Sequence, residues 1–336
     1  MCTSFVIRTV DEHVVYGRTM EFAEDLGSVP IVIEAGKTLY ASPPLGKQGK
    51  SWTTKYKAIG MNGLKMPILV DGINEAGLAG GMLYFPEFAE YPALTPENTA
   101  HALAPWDFLT WALTGFDSVS DVKQALDGIV VADIPHPAFD GAPPLHYTLH
   151  DASGASLVVE PVGGELRVHD NPLGVMTNSP PFDWHCTNLH NYLNLSRVTP
   201  SSRTLSLSRD AKHVKLKAYG QGYGMLGLPG DITPASRFVR AVGYATYAEN
   251  PHSGADAIRL AEHIINTFDI PKGWIKEDVE HDQPVYEYTQ WTTIADLEAR
   301  KYYFRTYDDT VMRVIDLATS KVSTVASPTH VELTIV

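Results

Sequence analysis

The order of segments along the chain predicts an α+β fold in which antiparallel sheets are covered by helices. Three observations carry this. Strand-patterned segments cluster at the beginning, the middle and the end; helical periodicity is confined to the stretches between them; and no regular strand–helix–strand repeat appears.

Residues 2–10 (CTSFVIRTV) alternate and are rich in β-branched types, Asp11-Glu12 supplies a turn, and HVVYGR reads as the return strand of an N-terminal hairpin. Further strands are expected at 29–34, 66–70 and 78–85, with a loop at 41–51. Helical spacing follows at 105–116 and at 118–128, where Ser118 is placed to cap. A meander is expected at 145–150, 155–161 and 165–169, with turns at Asp151–Gly154 and Gly163-Gly164. Helices are expected again at 182–195, 235–248 and 254–268, and strands at 285–295, 300–307, 311–317 and 329–335. No repeat, low-complexity tract or linker divides the chain, so a single domain over 1–336 is expected.

Hydrophobic residues make up 44% of the chain and charged residues 19%, ordinary globular values. A net charge of −13 without long like-charge runs argues against a nucleic-acid partner. No apolar stretch reaches the ~20 residues of a membrane span. The first residues lack the basic flank and apolar core of a signal peptide. The expectation is a soluble, cytoplasmic protein. Only two cysteines occur, Cys2 and Cys186, so a disulfide scaffold is excluded.

The position of Cys2 is the informative one. An initiator Met is commonly trimmed before a small residue, which leaves a thiol and a free α-amine on one residue. Such an amine titrates near about 7.7–8.0 and is a recognised base for an adjacent nucleophile. Arg18, on the return strand, can face Cys2 and favour its thiolate. Glu21, three residues on, is a candidate to orient the amine or Arg18. Each of these residues also has an ordinary structural reading, as a strand opener or a strand-end ion pair.

Weaker signals point elsewhere. Gly222, Gly224 and Gly227 satisfy G-x-G-x-x-G, but Pro229 and Gly230 follow where a dinucleotide site needs a helix. His185, Cys186 and His190 lack a second ligand pair at zinc spacing, which favours a helix surface. No metal or cofactor is expected. Asn194-Leu195-Ser196 matches a glycosylation sequon by pattern only, and G-x-S-x-G is absent.

Five stretches occur in order: CTSF at the start, YGRTMEF, DGINEAGLAGGMLYFP, GVMTNSPPFDWH and GLPGDITPASRFVR. In these the chain resembles the choloylglycine hydrolase family, which contains conjugated bile salt hydrolases and penicillin V acylases. The resemblance runs from Cys2 to the strands around 290–317. It implies an N-terminal-nucleophile hydrolase with an αββα four-layer sandwich of two antiparallel sheets flanked by helices. It also implies roles: Cys2 as nucleophile, Arg18 beside the thiol, and Glu21 at a position usually held by Asp, one methylene shorter. Asn178 would supply its side-chain amide and Tyr84 its backbone N–H to the oxyanion, with Arg237 giving electrostatic support. Bile salt hydrolases usually carry Asn where Tyr84 stands; penicillin acylases more often carry Tyr.

The aromatic residues Phe22, Phe85 and Phe182 lie in or beside these motifs and are expected to contact the substrate, although core packing is the common fate of such rings. The expected partner is a small amide with a hydrophobic acyl group, bile salts first, with penicillin V or an N-acyl homoserine lactone as alternatives. A non-catalytic ligand-binding relative and a cysteine peptidase using His185 or another His as base are the competing classes. The resemblance further implies a homotetramer, with residues 197–217 as a protruding hairpin.

Overall fold

The computed structural model describes residues 1–336 except 44, 207–211, 278–283 and 326–336. Strands β1 (Cys2–Arg8) and β2 (Val14–Phe22) open the chain. Then come β3 (Pro30–Ile33), β4 (Ala58–Met61), β5 (Asp71–Asn74), β6 (Ala79–Tyr84), β7 (Leu145–His150), β8 (Ser156–Val162) and β9 (Glu165–Asp170). After the central helices follow β10 (Ile275–Glu277), β11 (Val285–Asp296), β12 (Lys301–Thr306), β13 (Arg313–Asp316) and β14 (Lys321–Thr324). One sheet runs β1-β2-β11-β12-β13-β14 with β10 beside β11; the other runs β9-β8-β7-β6-β5-β4-β3. All neighbours in both are antiparallel.

Helix α1 (Phe108–Gly115) lies on β5 and β6, with α2 (Val119–Ala125) beyond it. After α3 (Phe182–Asn188), helices α4 (Pro234–Tyr247) and α5 (Gly254–Asn266) cover β1, β2 and β11. The result is the four-layer αββα sandwich. Because β2 is covered on both faces, every residue from Val14 to Glu21 is buried. Chains rarely place Arg and Glu in such a strand unless they are paired. Ser118 caps α2 as expected, accepting from Asp121 N–H at 3.2 Å.

Three expectations change. No strand forms at 66–70; the ladder begins instead at Asp71. Leu64 and Lys65 adopt left-handed φ of 54° and 56°, and Pro67 has no N–H to donate, so the chain turns before it pairs. The apolar residues Met66, Ile68 and Val70 serve a cavity rather than a ladder. The helix expected over 182–195 stops at Asn188 and tightens into a short 3₁₀ turn through Tyr192. Strands β4, β10 and β14 were not anticipated, and the strand expected at 329–335 lies outside the described residues. Within 197–217, Arg203–Leu205 pairs antiparallel with Val214–Leu216, all six residues exposed; 207–211 lie outside the described residues.

Candidate active site

Antiparallel pairing of β1 with β2 sets Cys2 opposite Met20 and Ser4 opposite Arg18. Residues 18 and 20 therefore share the face that looks between the sheets, and the Cys2 thiol joins them there. Arg18 Nη2 donates toward Cys2 Sγ at 3.4 Å and also to the Met82 carbonyl. Its Nη1 donates to the Val70 carbonyl at 2.7 Å and lies 3.5 Å from Asp71 Oδ2. The guanidinium is fully buried and lies 5.3 Å from the Trp291 ring centroid.

Asp71 is the residue sequence reasoning missed. Its Oδ2 accepts from Tyr16 OH at 2.8 Å; its Oδ1 accepts from Tyr302 OH at 2.7 Å and Thr293 Oγ1 at 2.9 Å. Burial pushes its carboxyl up, and Arg18 with the three hydroxyls pulls it back down. Gly81 makes room for this cluster: a Cβ there would meet Arg18 Nη1 at 2.5 Å and Tyr16 OH at 2.7 Å. The available signal was a buried arginine that needed a counter-ion, and Asp71 opens a motif already noted.

Glu21 projects to the opposite face of β2, toward α4. Its Oε1 accepts from Thr289 Oγ1 at 3.0 Å, while Oε2 is buried without a hydrogen-bond partner among the described residues. Burial raises this carboxyl, opposed by the N-terminal ammonium and Arg237. With Met1 in place, the terminal ammonium donates to the Glu21 carbonyl at 2.5 Å and lies 3.4 Å from Glu287 Oε1. Cys2 nitrogen is then a peptide N–H, and it donates to Asn178 Oδ1 at 2.9 Å.

Arg237, in the first turn of α4, closes the arrangement. It donates to the Cys2 carbonyl, to Thr3 Oγ1 at 2.8 Å and to Asn178 Oδ1 at 2.7 Å. Guanidinium and peptide N–H can only donate, so the atom that receives both must be the Asn178 carbonyl oxygen. Asn178 Nδ2 consequently faces β6 and donates to the Tyr84 carbonyl at 2.7 Å. The loop carrying Asn178 is held from below. His146 bonds the Thr177 carbonyl at 3.2 Å, and His185 Nε2 donates to the Asn178 carbonyl at 2.8 Å. His185 is therefore not on a helix surface. It stacks on Phe238 at 4.6 Å, and burial pushes its pKa down to about 4.

Cys2 opens onto a cavity with about 620 Å³ of empty space, mouth included. Phe22 and Tyr84 line it, 5.7 Å apart and edge to face. Phe85 and Phe182, expected in this wall, are not among its lining residues. Phe85 follows Tyr84 directly and so points the other way, stacking on His146 at 4.3 Å. Phe182 begins α3 and packs against Phe238 and His169. Their place is taken by residues from loops: Met66 and Ile68 before β5, Trp106 before α1, and Phe139 before β7. Cys186 is half-buried on α3, away from this cavity. Among the described residues, no three His, Cys, Asp or Glu side chains gather in a metal-binding group.

A family profile described as linear amide C–N hydrolases, choloylglycine hydrolase family, matches residues 2–330. The chain belongs to this family. It is 35% identical over 323 residues to a bile salt hydrolase/transferase of Clostridium perfringens, covering 94% of this chain and 92% of the relative. The structure superposes on the C2A mutant of conjugated bile acid hydrolase from the same organism with a TM-score of 0.79, at 30% identity and full coverage of both chains. A penicillin V acylase from Agrobacterium tumefaciens shares the fold, with a TM-score of 0.70 at 24% identity over 94% of this chain and 91% of that one. As a member of the family the chain is an amidohydrolase of linear amides. Among the described residues no helix is long and apolar enough to cross a membrane.

Proposed function

We propose that the chain hydrolyses the C–N bond of amides whose acyl half is apolar, with Cys2 as nucleophile and its α-amine as base after removal of Met1. The observation that carries this is the thiol of Cys2, 3.4 Å from the Arg18 guanidinium at the wall of an apolar cavity. In this reading the acyl group enters the cavity and Sγ attacks the amide carbonyl. The Sγ–C bond forms as the carbonyl π electrons move to oxygen. The second hydrogen of Asn178 Nδ2 and the Tyr84 backbone N–H hold that oxyanion, while Arg237 keeps the Asn178 amide from flipping. The Cys2 ammonium protonates the departing nitrogen, the C–N bond breaks, and a thioester remains. Water activated by the same amine releases the acid and restores the thiol.

Glu21 Oε2, buried and without a hydrogen-bond partner among the described residues, is suited to receive the freed ammonium once Met1 is gone. Glycine- and taurine-conjugated bile salts are the first candidate substrates, supported by the relatives' activities. Aryloxyacetyl amides such as penicillin V are the second, favoured by the ring cluster of Phe22, Tyr84 and Phe139. The exposed antiparallel pair Arg203–Leu205 and Val214–Leu216 suits a homotetramer contact.

The deciding measurement sets glycocholate, taurocholate, penicillin V and a long-chain homoserine lactone side by side, scored by kcat/KM, with intact-mass analysis of the same sample. Active enzyme that retains Met1, or turnover of none of the four, defeats the proposal.

A further inference from the structure

Glu160 is a fully buried carboxylate that the chemistry at Cys2 leaves unused. It follows Leu157, Val158 and Val159 in β8, a setting in which an acidic side chain is rare unless it is paired. Alternation puts it on the same face as Val158, which packs in the core that also holds Cys2, Phe182 and Phe238. No lysine or arginine pairs with it among the described residues. Its charged neighbours are histidines, His146 Nδ1 at 3.1 Å from Oε1 and His169 Nε2 at 3.8 Å from Oε2.

The same carboxylate accepts from the Phe182 N–H, at 3.0 Å on Oε2 and 3.2 Å on Oε1. His146, 1% exposed and stacked on Phe85, carries the contact onward, with Nε2 at 3.2 Å from the Thr177 carbonyl. A carbonyl can only accept, so Nε2 holds a proton, and a further proton lies between Nδ1 and Oε1. One carboxylate therefore grips both ends of the segment 177–182, Thr177 through the imidazole and Phe182 directly. Asn178 stands between them. Arg237 and the Tyr84 carbonyl fix the end of its side chain, and neither fixes its backbone. An apolar pair of similar volume often stabilises a core as well as a buried ionisable pair does. What it cannot do is hold a carbonyl and an N–H at set places.

We propose that Glu160, acting through His146, is the positioning residue of the oxyanion donor. The pair holds the 177–182 segment so that Asn178 Nδ2 meets the charge developing on the substrate carbonyl. This role rests on Cys2 as nucleophile and Asn178 as donor. It depends on the reach of the carboxylate, not on its charge.

Two substitutions separate reach from charge, with kcat measured on the best of glycocholate, taurocholate, penicillin V and a long-chain homoserine lactone. Glu160→Gln keeps the length: its amide can donate to Nδ1 while its carbonyl accepts from the Phe182 N–H. Its kcat should stay within about threefold of the natural value, because both hydrogen bonds survive. Glu160→Asp keeps the charge but is one methylene short of spanning both partners. Its kcat should fall about 10- to 100-fold, the scale of a catalytic group displaced by about 1 Å, with KM within about threefold. Cys2 should still react with iodoacetamide at the natural rate. On an Asn178→Ala background the same Glu160→Asp change should lower kcat by less than about twofold, since the donor it positions is already gone. Should Glu160→Asp fail to fold, His146→Phe, which keeps the ring against Phe85 and loses both ring bonds, carries the same expectations.

Full activity in Glu160→Asp, a loss undiminished on the Asn178→Ala background, or a Glu160→Gln as slow as Glu160→Asp overturns the positioning role while hydrolysis at Cys2 stands. Natural kcat in Asn178→Ala alone removes the donor and its positioning residue together. A natural protein that turns over none of the four amides removes the reading of Cys2 as well.

Discussion

The cavity has two walls of opposite construction. Behind the thiol, Tyr16 and Arg18 of β2, Asp71 of β5 and Tyr302 of β12 project from three strands of the two sheets and bond one another at fixed distances. In front, Met66, Trp106, His136 and Phe139 come from connections between elements and meet mostly through apolar and ring contacts. Strands hold atoms to the tolerances that bond making demands, whereas loops change shape and length without disturbing the sheets. The difference assigns chemistry to the first wall and choice of acyl group to the second, and substitutions on the two walls should fail in different ways.

The largest effect is expected at Cys2. Cys2→Ala should lower kcat on the order of 10⁴-fold or more, as loss of a nucleophile does, with little change in melting temperature. A variant that keeps substantial turnover means the attack comes from elsewhere. Asn178→Ala should lower kcat by about 10²- to 10³-fold, the usual result of losing one oxyanion donor. A change confined to KM would move Asn178 from the reacting atoms to the substrate's periphery.

Arg18 and Asp71 separate chemistry from stability within the first wall. Arg18→Met leaves the Asp71 carboxylate buried beside three hydroxyls, at a cost of about 3 kcal/mol in urea denaturation, the low end for breaking a buried pair. Asp71→Leu leaves Arg18 uncompensated to a similar extent. The double variant should be more stable than the sum of the two predicts, yet its Cys2 should alkylate as slowly with iodoacetamide as that of Arg18→Met. Additive stabilities would mean that the 3.5 Å contact couples nothing.

These two walls also differ in how far they were legible. Cys2, Arg18 and Glu21 fall within one hairpin, where period-two alternation and the pairing register locate side chains without further information. The αββα layering followed from the order of segments together with five motifs. Asn178 and Arg237 were found through their motifs, but their mutual contact was not visible, because it joins residues 59 apart. Phe85 was misplaced because strand alternation was not applied to its motif: adjacent strand residues face opposite ways, and it is Tyr84 that faces the cavity. Trp106, His136 and Phe139 carried no local signal. Their roles depend on where three connections end in space, which no periodicity records. His185 was read as a surface residue because it, Cys186 and His190 lack a second ligand pair at zinc spacing, whereas one helical face of α3 turns inward against Phe238.

A substitution in the second wall should change selectivity and leave the reacting atoms intact. Phe139 is half-buried on the 136–144 connection, 6.2 Å from the Phe22 ring and 5.8 Å from His136. Phe139→Ala removes apolar contact felt equally by bound substrate and transition state, so KM should rise roughly 5- to 10-fold with kcat within about twofold. If kcat falls with KM constant, this connection positions the scissile bond rather than the acyl group, and the division between the walls breaks down.

The smallest expected effect tests how the two walls meet, because His185 supports the loop that carries Asn178. Burial lowers its pKa from the usual 6.5 to about 4, so between these values the folded protein binds fewer protons than the unfolded chain. Stability therefore rises with pH across this window and is lost as pH falls from 6.5 toward 4, by about 3 kcal/mol for the full shift. His150, lowered to about 3 by burial, adds a parallel loss in acid. His185→Gln can keep a donor toward the Asn178 carbonyl but does not titrate. Its melting temperature should sit below the natural protein's at pH 7 and converge with it near pH 4.5, leaving the His150 contribution in both. Curves that stay parallel would place the acid sensitivity elsewhere. If the kcat of His185→Gln at pH 7 is close to that of the natural protein, the backbone bond alone holds Asn178 in place and the charge of the ring is irrelevant to it.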